Sequence, residues 1–323
     1  MSAARHVPAL TLARPLLACL LLAGFDTGPA TAPAAALESA TLSVWRGGAW
    51  RVWWRADRAP ERWDAPDTTL SGALEWRPLA PGLEWASVRL ACPAPAWRAR
   101  LIVARLDPRR LSLSLEMDLT KDQRPAWSID RAPRDALRAV NAGQFVGAMP
   151  WGWVAIEGRQ VLRPGFGPLA SAIAVDDAGD VRWTHGDSTF APAGTRVGFQ
   201  SYPTLLAGAG TVPRALRTGE GGVNLRHRDT RLAIGESRDG WLLVVLTRFD
   251  AMGDFASGAP IGPTTPEMAA IMGALGAADA VMLDGGISAQ LLLRGAAGAK
   301  PLRWAGWRKV PLALIARSRT ARP

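Results

Sequence analysis

Residues 279–288 read Asp-Ala-Val-Met-Leu-Asp-Gly-Gly-Ile-Ser, a short apolar run that ends on a carboxylate, two glycines and a hydroxyl. The run suits a buried strand that delivers Asp284 to a sheet edge, and the glycines suit a turn that side chains would crowd. Such a turn can expose backbone N–H groups in a concavity that holds an anionic oxygen, with Asp284 and Ser288 beside it. The same residues also fit a plain hairpin in which Asp284 is only a turn former. Directly upstream lies the clearest helix of the chain. Thr265 is expected to cap it, Pro266 suits its first position, and Met268, Ile271, Met272 and Leu275 recur at helical spacing before Gly276 stops it. The helix runs into the strand almost without a linker, which sets Glu267 at a helix start and Asp284 at a strand end.

Outward from this unit the pattern is one of strands. Residues 83–90, 99–106 and 111–117 read as successive strands, with Asp107-Pro108 as a turn. A strand ends at Val140 and passes into Asn141-Ala142-Gly143-Gln144-Phe145. A hairpin turns at Glu157-Gly158, and another pair of strands flanks the polar loop from Glu236 to Gly240. Strands far outnumber helices and no regular βαβ alternation appears. The expected fold class is therefore α+β, mixed twisted β-sheets with a few packed helices and a surface cleft. Residues 37–80 alternate Trp and Val with Arg and Asp, which reads as a Trp-rich β extension ahead of a main domain at 81–317.

Residues 1–36 differ in kind. Arg5 and Arg14 precede the apolar run 16–25, and Ala34, Ala35 and Ala36 offer cleavage positions, the pattern of a secretory signal peptide. No later run is long enough to span a bilayer, so an exported, periplasmic or extracellular protein is expected. Most of the apolar run follows Cys19, the wrong side for a lipoprotein cleavage box. Once the leader is removed Cys92 is the one remaining cysteine, which leaves no intramolecular disulfide and no thiolate metal cluster. His185 and His227 are too few for a histidine zinc site, and no metal or cofactor is expected. The formal charge of +10 favours anionic partners. The arginines are dispersed rather than gathered in a stripe, which speaks against nucleic acid. Fifteen tryptophans against one tyrosine supply flat faces that stack on sugars or fill a core.

Four polar signals stand at element ends: NAGQF at 141–145, QSYPTLL at 200–206, RLAIG at 231–235, and PEMAAIMGALG at 266–276 leading to LDGGIS at 283–288. In this order they resemble the phosphodiester glycosidase family, whose pattern is an N-G-G-[FY]-F-like turn, Q-x-x-P-x-L, R-T-A-I-G and a helix into L-D-G-G-G-S. The resemblance covers about residues 81–296 and departs at Ala142, Leu232 and Ile287. It implies a hydrolase that cleaves the bond between an anomeric carbon and a phosphate oxygen. Asp284 is then the candidate carboxylate at the anomeric centre, Arg231 the fork for phosphate, and Glu267 a second carboxylate or an organiser. The Gly285 and Gly286 amides would meet phosphate, and Asn141, Gly143, Ser201 and Ser288 would hold sugar or phosphate oxygens. His227, in Arg226-His227-Arg228-Asp229, is a weaker candidate acid, because neighbouring arginines disfavour its charged form. Two alternatives stay open: a non-catalytic envelope protein that binds anionic glycan, and a phosphodiesterase on a non-sugar substrate.

Overall fold

The computed structural model describes residues 40–93, 97–186, 192–249, 261–295 and 299–319; the leader expected at 1–36 lies outside the described residues. Nine strands form the largest sheet: β1 (Thr41–Arg46), β2 (Ala49–Arg55), β3 (Arg77–Ala80), β4 (Leu83–Cys92), β5 (Trp97–Leu106), β15 (Thr204–Leu206), β16 (Leu232–Ser237), β17 (Leu242–Phe249) and β18 (Ala277–Leu283). Their order is β15-β18-β16-β17-β5-β4-β1-β2, with β3 also paired to β4. A second sheet joins β10 (Val154–Ile156), β11 (Arg159–Leu162), β12 (Ser171–Val175), β13 (Val181–His185) and β14 (Val197–Ser201). A third joins β6 (Leu111–Met117), β7 (Arg138–Asn141), β19 (Leu291–Leu293), β20 (Leu302–Trp304) and β21 (Leu312–Ser318). A short pair, β8 (Phe145–Val146) and β9 (Met149–Pro150), and the helices α1 (Thr68–Ser71), α2 (Arg214–Thr218) and α3 (Thr265–Ala274) complete the α+β fold.

Why β18 reads as a continuous apolar run follows from its two covered faces. Val281 and Leu283 join Leu232 and Ile234 of β16 in a core shared with Val140, Phe199 and Leu314 of the smaller sheets. Ala280 and Met282 turn to the opposite face, where α3 packs through Met268, Ile271 and Met272. The helix departs from expectation in two ways. Its cap is Thr264 rather than Thr265: the Glu267 N–H donates to the Thr264 hydroxyl at 3.3 Å and the Thr264 N–H donates to the Glu267 carboxylate at 2.9 Å. It is also buried nearly all round instead of along one stripe, because Ala269, Ala270, Gly273 and Ala274 let neighbours close in. A Cβ on Gly273 would lie 2.2 Å from the Trp63 ring.

The described part of the Trp-rich segment, residues 40–80, is not a separate layer. β1 pairs with β4 through Ser43↔Ala91 and Val44↔Leu90, and the expected boundary at 81 falls within the β3–β4 hairpin. Trp53, Trp54 and Trp63 belong to the same core as α3, with Trp63 against Gly273 of the helix, which is the structural use of tryptophan.

A polar chain ties the second sheet to the largest one. Ser171 Oγ lies 2.8 Å from His185 Nδ1, and His185 Nε2 lies 2.8 Å from Asp279 Oδ1. The order Ser, His, Asp is that of a hydrolytic triad, but Ser171 has no exposed surface and shares its hydroxyl with Thr204 at 2.6 Å, so no substrate reaches it. Next to Asp279 in register stands Glu236, whose carboxylate accepts from Trp183 Nε1 at 2.9 Å. Burial pushes the Glu236 carboxyl up to about 7; Trp183 and Arg109 oppose the rise, and Asp279 and Asp180 add to it. A carboxyl raised in the folded state binds more protons there than in the unfolded chain, so its contribution to stability falls as pH climbs from the ordinary glutamate range towards 7. Glu236→Gln keeps the acceptor for Trp183 and removes the titration. Thermal melts are expected to show the variant above wild type at pH 8, with the gap closing at acidic pH.

Arg138 of β7 is fully buried, and its guanidinium nitrogens have no hydrogen-bond partner among the described residues. Burial lowers its pKa to about 9. An unpaired buried cation opposes folding more than an apolar side chain of similar length. Arg138→Met is therefore expected to raise Tm at neutral pH, by differential scanning fluorimetry, and a lower Tm would contradict this account of the position.

Candidate active site

Three segments meet where β18 ends. The Asn141 side chain, at the end of β7, donates from Nδ2 to the Asp284 carbonyl at 2.8 Å and accepts from the Gln290 N–H at 2.9 Å. The Asp284 N–H donates to the Gly143 carbonyl at 2.9 Å, and Gln144 Nε2 donates to the Leu283 carbonyl at 3.1 Å. Both backbone groups of Asp284 are thus fixed from the third sheet and the loop after β7. Behind the turn, a Cβ on Gly285 would lie 2.6 Å from the Thr230 carbonyl, and Gly286 has φ +54 with its N–H donating to that same carbonyl at 2.8 Å. The glycines are required by close backbone packing. The Gly286 amide is consequently spent on Thr230, which corrects the expectation that it faces phosphate.

The Asp284 side chain is half-buried, and its Oδ2 has no hydrogen-bond partner among the described residues. Burial raises its pKa, the Ser288 hydroxyl and the Arg308 charge oppose the rise, and Asp229 adds to it. Ser288 is itself buried and reaches this carboxylate rather than solvent. Ile287, in contrast, is 43% exposed, and its carbonyl accepts from the Trp307 and Arg308 N–H groups at 2.7 and 3.1 Å. Its backbone props the loop that carries Arg308, so a third glycine is not needed there. Ala142 and Leu232, the other departures from the family pattern, lie in the buried core.

On the neighbouring strand the Leu232↔Leu283 pair ends the ladder, so the next residues on the two strands are Arg231 and Asp284. Arg231 does not pair with Asp284. Its Nε donates to the Pro263 carbonyl at 3.0 Å and Nη2 to the His227 carbonyl. Burial lowers its pKa, Asp229 and Glu267 oppose this, and Arg228 reinforces it. Glu267 is 1% exposed, with both oxygens held by Arg228 at 2.6 and 2.8 Å in addition to the cap of α3. Ser201 is fully buried and donates to the Met282 carbonyl at 2.5 Å. Asn141, Gly143, Asp284, Gly285, Gly286 and Ser288 therefore form one interlocked unit with Arg231 beside it, while Glu267 and Ser201 support the elements from behind.

Arg231 also lines a cleft of about 780 Å³. Its lining includes Trp151, Phe166 and Tyr202, with Trp151 and Tyr202 edge to face at 4.6 Å; Asn224, His227 and Glu220 supply polar groups. An aromatic lining with a few polar groups suits a ligand with flat apolar faces and hydroxyl edges. Sequence reading missed Arg228, Asp229 and Arg308. The first two sit in the charged run before Arg231, where only His227 drew attention, and His227 lies 3.6 Å from Asp229 on the cleft lining. Arg308 belongs to a basic stretch without any local signal; only the fold brings it to Asp284 and over the Phe145 ring at 4.7 Å.

A model of the phosphodiester glycosidase family matches residues 134–317. Among solved structures, the catalytic domain of zebrafish N-acetylglucosamine-1-phosphodiester alpha-N-acetylglucosaminidase, auto-inhibited by its pro-peptide, is similar with a TM-score of 0.58 and 17% identity, over 76% of this chain and 88% of that one. A protein from Synechocystis is similar with a TM-score of 0.47 and 17% identity, over 87% of this chain and 68% of that one. No curated protein matches the sequence. The zebrafish likeness establishes a shared fold, and the family match takes in Asn141, Arg231, Glu267 and the whole turn from Asp284 to Ser288. With more than half of its length matched by that model, the chain belongs to the phosphodiester glycosidase family.

Proposed function

We propose that the protein hydrolyses a sugar phosphodiester between the anomeric carbon and the phosphate oxygen, with Asp284 acting at the anomeric centre and Arg231 on the phosphate. The observation that carries this reading is a desolvated carboxylate with an unpartnered oxygen at the end of one strand, while Arg231, which lines an aromatic cleft, stands just before the start of the neighbouring strand. Departure of phosphate leaves positive charge on the sugar ring, which a carboxylate can stabilise, attack, or relieve by activating water. Removal from water makes Asp284 a stronger base, while Arg308 holds it towards the ionised form. Phosphate leaves without a strong acid, so a fixed cation suffices, and Arg231 supplies one anchored by two backbone carbonyls.

Glu267 takes a positioning role in this reading. With both oxygens on Arg228 and the helix cap, it fixes the segment that leads into Arg231 and does not act as the second carboxylate. We place the activity outside the cytoplasm on the strength of the charged and apolar leader pattern in residues 1–36. No helix among the described residues is long and apolar enough to cross a membrane.

Reducing sugar released from a sugar-1-phosphodiester is the direct measure. Asp284→Asn is expected to lower kcat by roughly 10²–10⁴-fold, and Arg231→Ala to lower kcat/KM by about 10–100-fold, the range for a lost charge-assisted hydrogen bond. Phosphodiester turnover without reducing sugar, or full activity of Asp284→Asn, would remove the assignment.

The pH profile supplies an independent check. Asp284 works ionised, so activity falls as pH drops through its pKa, and burial sets that acid limb above the ordinary aspartate range. Arg308 favours the ionised form, so Arg308→Gln moves the limb to higher pH; Asp229 disfavours it, so Asp229→Asn moves the limb lower. A limb that stays put in both variants would assign it to another group.

A further inference from the structure

Between β1 and β3 the outer edge of β4 is left open. β3 pairs with β4 only as far as Trp85, and β1 resumes at Leu90, so residues 86–89 have a strand partner on the β5 side alone. The gap is a notch of about 610 Å³, lined by Trp45, Arg46, Ser87, Arg89 and Arg100, with Glu75 as its one carboxylate. Arg46 reaches across it to donate to the Thr68 carbonyl at 3.2 Å. Arg89 lies over the Trp45 indole at 4.7 Å, and Trp45 meets Trp50 edge to face at 5.4 Å. Arg98, further along the same face, stands over Trp50 at 5.8 Å. Arg89 and Arg98 are exposed, each with its guanidinium over an indole ring.

We propose that this notch is a second, non-catalytic binding site for a phosphate-bearing glycan. Indole faces beside guanidiniums give a sugar ring a platform and its phosphate a fork, the pairing that neither group supplies alone. An unpaired strand edge presents alternating N–H and C=O groups, which match sugar hydroxyls that both donate and accept. A concave notch of this size suits one or two sugar residues, whereas a membrane surface would call for a flat face and nucleic acid for a continuous basic track. β4 stands four strands from β18, roughly 19 Å at ~4.8 Å per strand, so the notch is separate from the cleft. The proposal stands apart from the assignment of Asp284.

The probe is a phosphorylated dextran oligosaccharide, titrated by calorimetry against unmodified dextran, vesicles containing phosphatidylglycerol, and single-stranded DNA. Wild type is expected to bind the phosphorylated dextran and not the unmodified one. Arg89→Ala and Arg46→Ala should each raise Kd by about tenfold or more, with Trp45→Ala also weakening binding. Turnover of a small soluble sugar phosphodiester should be unchanged in Arg89→Ala, which separates this site from the catalytic assignment. Should Arg89→Ala lower Tm by several degrees, Arg46→Ala decides alone, since its side chain lies outside the core. An unchanged Kd in the arginine variants, or vesicles or DNA bound as tightly as the phosphorylated dextran, would overturn the proposal.

Discussion

The side chain of Asn141 ties the end of β7 to a turn far away in sequence, donating to Asp284 and accepting from Gln290. The site depends on this bridge because β18 belongs to the largest sheet while β7 and β19 belong to the third, and no ladder hydrogen bond crosses between them at that point. One buried carboxamide, with Gly143 and Gln144 alongside, sets the distance and angle between the sheets where the carboxylate emerges. A buried amide satisfied at both ends is more directional than apolar packing, which tolerates sliding. The rigidity needed to hold a desolvated carboxylate in place is thus supplied by backbone groups and not by the carboxylate's own contacts.

That division matters for the chemistry. Had the backbone been left loose, Asp284 would settle against a neighbouring cation and lose its basicity. Instead Arg231 is anchored to two carbonyls, Arg228 is taken up by Glu267, and Arg308 influences Asp284 while stacking on Phe145. Each guanidinium near the site has a fixed partner. Fixed charges need no reorganisation when charge develops on a substrate, which is how a polar site lowers a barrier.

The glycines illustrate how the tertiary surroundings narrow what a motif can do. Two glycines after Asp284 suggest N–H groups offered to an anion, yet Gly286 gives its N–H to Thr230, and both residues are glycine because the turn lies against residues 229–231. The consequence is still functional. Packing the turn against that segment is what brings Arg231 and Asp284 side by side on adjacent strands. Glu267 follows the same logic: the acid at a helix start reads as a second carboxylate or an organiser, and its environment commits it to a cap and an ion pair.

Local pattern determined a good part of this protein. Hydrophobic run length and turn residues placed β4, β5, β6, β16, β17, β18 and α3 within a few positions, and the element ends marked Asn141, Arg231 and Asp284, because strand and helix periodicity and glycine turns are local properties. The order of strands in the sheets, the merging of β1, β2 and β3 into the largest sheet, and the burial of α3 nearly all round were decided by tertiary packing. So were the roles of Arg228, Asp229 and Arg308, whose side chains acquire meaning only from partners distant in sequence or concealed within a charged run. A carboxylate's position is written in the residues beside it. Its pKa and its partners depend on what the rest of the chain removes from water around it, and that is a property of the folded molecule alone.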